Sequence, residues 1–120
     1  MTSEKSSFEL HLEKLKGEYK TQLPTKLETI ASDWLLLTQH WQTDVMVRLH
    51  RNVHSLIGTS GTFGFTDLSK IARILEEHLK PLLEEENENY KPDANMVSSI
   101  NTIIKTLINL IKITHDDQHP

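Results

Sequence analysis

Apolar residues recur at three- and four-residue intervals along most of the chain, and no stretch alternates as a half-buried strand would. After the polar start Met1 to Ser7, the positions Phe8, Leu12, Leu15 and Tyr19 predict a short first helix. Leu27, Ile30, Ala31, Trp34 and Leu37 predict a second, opening near Pro24, where a missing N–H is harmless in a first turn, and ending around residues 39–41. A third helix is expected to start from Thr43 and Asp44 as its N-cap, with Val45, Leu49, Val53, Leu56 and Ser60 on its core face. Residues 61–65, Gly-Thr-Phe-Gly-Phe, read as a turn, and Thr66 with Asp67 as the cap of a fourth helix carrying Leu68, Ile71, Ala72, Leu75, Leu79 and Leu82. Pro81 should kink or weaken its last turns, and the acidic run 84–89 reads as a solvated connection. Pro92 and Asp93 open a last helix with a wide apolar stripe from Met96 to Ile111, and residues 114–120 read as a loose tail, like residues 1–7. The pattern is all-α: an antiparallel four-helix bundle with a short extra N-terminal helix, in one domain spanning residues 1–120.

Composition narrows the function classes. A chain of 120 residues suffices for one core. The formal net charge of -4 argues against nucleic-acid binding and against an anionic membrane surface. The chain contains no cysteine, which excludes disulfides, thiolate chemistry and cysteine-type zinc sites. It shows no signal-peptide-like run and no apolar run of membrane-spanning length, which points to a cytoplasmic domain. Neither a glycine-rich phosphate loop nor a Ser/His/Asp arrangement is present, so the chain is not by itself an ATP-using kinase.

The chemistry concentrates in residues 49–75. On the third helix His54 lies roughly 140° from the centre of the core face, at about 100° per residue. Val47, His50, Arg51, Gly58 and Gly61 share its outer side, and Ile57 falls at the boundary. Glycine inside a helix costs about 1 kcal/mol relative to alanine. Two glycines placed four and seven residues after an outward histidine imply that something large must approach it. An exposed imidazole at neutral pH suits nucleophilic attack or phosphoryl acceptance.

The stretch His54-Ser55-Leu56-Ile57-Gly58-Thr59-Ser60-Gly61-Thr62-Phe63-Gly64 resembles the signature of histidine-containing phosphotransfer (HPt) domains, His-x-(Leu/Ile)-Lys-Gly followed by small residues and a further glycine. It is similar to the phosphoacceptor domains of chemotaxis-type histidine kinases and to phosphotransfer modules attached to diguanylate cyclases. The resemblance implies a four-helix bundle in which His54 accepts a phosphoryl group and passes it to or from the aspartate of a response-regulator receiver domain. A sensor or hybrid histidine kinase would be the other partner. No cofactor is expected in the chain itself; magnesium would belong to the receiver. Gly58 would clear room for the receiver's loops. One position departs from the pattern: Ile57 stands where the family has lysine. A docking module of the same fold, binding a receiver or another signalling partner without efficient transfer, is the alternative that this departure motivates.

Several neighbours of His54 have two readings at this stage. Arg51, one turn earlier, could supply the positive charge that the missing lysine leaves out, as could Lys70 and Arg73. An antiparallel third and fourth helix brings residues 73–77 opposite His54, so Glu76 could accept a hydrogen bond from one ring nitrogen; otherwise Glu76 and Glu77 are a solvated face. Val47 and Ile57 are either edge-of-core residues or part of a docking patch. His50 is a neighbour that could tune docking or charge. Its spacing from His54 also suits a metal, but no third ligand is evident.

Overall fold

The computed structural model describes residues 5–116. Its elements are α1 (Ser7–Gln39), α2 (Thr43–Thr62), α3 (Thr66–Leu79), a 3-10 turn (Lys80–Glu84) and α4 (Ala94–Asp116). Each helix packs on its chain neighbours, and α4 closes the ring against α1. The fold is therefore an antiparallel four-helix bundle, with Leu23, Ile30, Trp41, Met46, Leu49, Leu75, Ile100 and Leu107 among its most deeply buried side chains. Of the expected loose ends, residues 1–4 and 117–120 lie outside the described residues; Ser7 begins α1, and 114–116 continue α4.

The extra N-terminal helix is not a separate element. The first two expected helices are one, and α1 runs through Gly17 and Pro24 for 33 residues. Proline in a helix interior forfeits a hydrogen bond and costs about 3 kcal/mol. The apolar stripe of α1 is buried on both sides of it, at Tyr19 and Leu23 before and Leu27, Ile30 and Trp34 after, and that packing holds the helix together. At about 1.5 Å per residue the helix is about 50 Å long, against a longest molecular dimension of 65 Å. Its start is specified by Ser6, whose hydroxyl accepts the Glu9 N–H at 3.1 Å.

Other helix starts differ from the sequence reading. Thr43 and Thr66 are first residues of α2 and α3 rather than caps; the capping positions are Gln42 and Phe65, neither of which makes a side-chain capping bond. Asp44 and Asp67 stand in the first turns, where the helix dipole favours a negative charge. Asp93 does cap α4, accepting the Met96 N–H at 2.8 Å. Pro81 ends α3 at Leu79 and sits in the 3-10 turn. The acidic connection is anchored as well as solvated: Trp41 Nε1–H donates to the Glu85 carbonyl at 2.9 Å, and Tyr90 meets the Trp41 ring edge-on.

By length and composition Ala94–Thr114 is apolar enough to cross a membrane, against the expectation that no segment would be. In the bundle this helix instead contributes Ile100, Ile104, Leu107 and Ile111 to the core.

The turn between α2 and α3 is shorter than expected. Helix α2 continues through Gly61 and Thr62, and Gly64 alone takes a left-handed conformation, with φ at +83°. The Phe65 N–H reaches the Ser60 carbonyl at 2.8 Å and the Gly64 N–H reaches the Gly61 carbonyl at 3.1 Å, the paired bonds of a Schellman ending. Phe63 and Phe65 then close on Tyr19. Replacing Gly64 with alanine forces a Cβ into this left-handed backbone. It should destabilise the fold by about 1 kcal/mol, measured as a lower urea midpoint with an unchanged slope.

Candidate functional site

Helices α2 and α3 position the site. Val45, Leu49, Val53 and Leu56 are buried and fix the roll of α2, which turns His54 outward. The His54 side chain is 73% exposed. Its Nδ1 lies 2.6 Å from Oε2 of Glu76, which reaches across from α3 and is itself buried. A carboxylate can only accept, so Nδ1 carries the proton and donates it. Nε2 is then left as the lone-pair nitrogen, on the ring edge away from Glu76.

Glu76 serves more than His54. Its Oε2 is 3.6 Å from Nε2 of His50, and its Oε1 is 3.9 Å from Nζ of Lys80. The His50 Nε2 is buried and makes no hydrogen bond, and the His50 and His54 rings lie nearly parallel with centroids 6.2 Å apart. Burial pushes the Glu76 carboxyl up. The hydrogen bond from His54 and the electrostatic attraction of His54, Lys80 and His50 outweigh that and hold it below the ordinary value of 4.5. Because the folded-state value is depressed, Glu76 stabilises the fold fully above the ordinary glutamate range, and this contribution disappears as pH falls through the folded value. Urea unfolding of wild type and Glu76→Gln should therefore show a gap at pH 7 that shrinks below about pH 4.5. Among the described residues, no three His, Asp or Glu side chains are arranged to hold a metal ion.

The other site residues divide. Val47 and Arg51 are exposed on the outer side of α2, and His50 is half-buried beside Glu76. Gly58 is open: a Cβ built there meets nothing within 4 Å, so packing within the chain does not require glycine. Gly61, although exposed, faces α3. A Cβ there would stand 3.4 Å from Oγ of Ser69, whose hydroxyl donates to the Ile57 carbonyl at 2.9 Å. Ile57 is 7% exposed and belongs to the core, so it is not on the surface that a partner meets. Two helices flank α2, α1 on one side and α3 on the other, and the buried arc is therefore wider than one stripe.

Lys80 was not singled out in the sequence, although its i, i+4 spacing from Glu76 is the usual signal for such a pair. The bidentate pairing of Arg48 with buried Asp33, at 2.8 and 3.0 Å, was also missed; it clamps α1 to α2.

A four-helix bundle that presents an outward imidazole, oriented by a carboxylate from the next helix, has the architecture of a histidine phosphotransfer module. The chain belongs to the Hpt domain family, whose model matches residues 14–111. It is thereby a phosphotransfer module of the phosphorelay type, a family that works with receiver domains and histidine kinases. No curated protein and no solved structure matched the chain.

Proposed function

We propose that His54 is the phosphoryl acceptor and donor of a cytoplasmic phosphorelay, exchanging the group with a receiver-domain aspartate. The observation that carries this reading is the pairing of His54 Nδ1 with Glu76 at 2.6 Å on a side chain that is otherwise open. In the forward step the Nε2 lone pair attacks the phosphorus of the receiver's acyl phosphate. The N–P bond forms as the P–O bond breaks, and the aspartate leaves as a carboxylate. Positive charge that develops on the ring is shared with Nδ1–H, where the Glu76 carboxylate offsets it. Arg51 on α2, Arg73 on α3 and Lys80 at the start of the 3-10 turn are exposed cations that can offset the charge of the phosphoryl group in place of the absent lysine. Val47 and Gly58 provide the surface on which the receiver settles, with magnesium held on the receiver's side.

The test mixes the protein with a phosphorylated receiver and follows the label. Base-stable, acid-labile label mapped to His54 by mass spectrometry supports the proposal, and absence of uptake sinks it. Glu76→Gln keeps an acceptor for Nδ1–H but removes the charge, and should slow transfer about tenfold. The second reading, a docking module without efficient transfer, is favoured by one observation: the usual lysine position holds the buried Ile57. Receiver binding without label on the protein would select it.

A further inference from the structure

The N-terminal part of α1 extends past the bundle. The α2–α3 turn reaches α1 at Tyr19, through Phe63 and Phe65, and the outermost of these contacts is the Lys16 ammonium over the Phe65 ring. Every residue from Lys5 to Glu18 is exposed. Yet the segment is built as a helix, with the Ser6 cap described above, and it carries an apolar seam. Phe8, Leu12 and Leu15 are spaced as in a coiled coil and run into Tyr19. Phe8 is 73% exposed. Phe8 and Leu12 precede the region that matches the family, residues 14–111, whereas Leu15 and Tyr19 lie inside it.

We infer that the seam pairs with the same seam of a second copy of this chain, antiparallel. The flanking charges select that partner and that direction. With Leu12 and Tyr19 at a positions and Phe8 and Leu15 at d, the e positions are Glu9 and Lys16, and the g positions are His11 and Glu18. An antiparallel pair sets e against e and g against g. Glu9 then meets Lys16 of the other copy, His11 meets its Glu18, and Leu12 packs on its Leu15, each twice by symmetry. A parallel pair sets His11 against Lys16 and gains no attractive pair. Stable interfaces bury about 1,200–2,000 Å². Three apolar side chains per copy fall at the small end, so the dimer forms at micromolar concentration and dissociates on dilution. It leaves the His54 face of both copies open.

Sedimentation of the protein from about 1 to about 500 µM tests the inference. A monomer–dimer equilibrium is expected, weakened at least tenfold in the Leu12→Glu, Leu15→Glu double variant, whose helix content and melting should persist because both residues lie outside the bundle. Glu9→Lys should weaken the dimer, and adding Lys16→Glu should restore it. The chain has no cysteine, so oxidation of mixed Leu12→Cys and Leu15→Cys proteins reports direction without background: antiparallel pairing gives the 12–15 cross-link. A monomer throughout the range, a dimer indifferent to the leucine variants, or a preferred 12–12 cross-link would each overturn it. So would protection of the seam by a receiver or kinase while the protein stays monomeric.

Discussion

His54→Gln is expected to abolish label uptake from a phosphorylated receiver, a loss on the order of 10³-fold or more. Glutamine has neither a nucleophilic nitrogen nor a route to an N–P bond. Its amide can nonetheless donate to Glu76, so the burial of that carboxylate remains satisfied. The side chain is mostly solvent-exposed, and its removal opens no cavity. The urea midpoint should therefore stay close to that of wild type while transfer vanishes. That separation is the important result, because a variant that unfolded would lose label trivially. Residual uptake in the variant would instead direct attention to His50, whose ring lies beside His54 on the same helix.

The second large effect runs in opposite directions for stability and function. Gly58→Ala should stabilise the fold by about 0.5–1 kcal/mol, since glycine is a poor helix residue and a Cβ at this position meets nothing within the chain. Gly58→Leu should leave the fold intact and place a branched side chain one turn beyond His54. Transfer from the receiver should then fall about 100-fold or more, because a displacement of even about 1 Å at a reacting centre costs that much. A small-molecule phosphodonor, which needs no broad docking surface, should label both variants nearly as well as wild type. Urea unfolding combined with the two donors checks all of this. If Gly58→Leu accepted label from the receiver at the wild-type rate, Gly58 would have no role in access.

Much of the architecture was legible in the sequence, and the departures have physical reasons. The bundle is specified by long 3.6-residue stripes, which survive local irregularities. The division of α1 into two helices was misread because Gly17 and Pro24 are local breaker signals, whereas the packing that overrides them comes from α2 and α4, distant in sequence. Angular arithmetic on one helix puts Ile57 only at the boundary, between a core-edge and a docking reading, because it carries no information on how many neighbours that helix has; its burial selects the core. Glu76 was placed opposite His54 because the two helices are joined by a short turn, and an antiparallel hairpin fixes which residues are level. The sharing of Glu76 with His50 and Lys80 depends on side-chain reach. So does the Arg48–Asp33 clamp between residues 15 apart.

The short turn at Gly64 also bears on the order in which the molecule assembles. His54 and Glu76 are separated by only 22 positions, so their contact closes a small loop. Contacts at such separations form early in helical proteins, where rates follow the sequence distance between partners. The Trp34–Asn101 bond between α1 and α4 spans 67 positions and belongs to the late, slow part of the same process. Substitutions that loosen α1 against α4 should thus speed unfolding while leaving the α2–α3 hairpin, and with it the oriented imidazole, to form at nearly the wild-type rate.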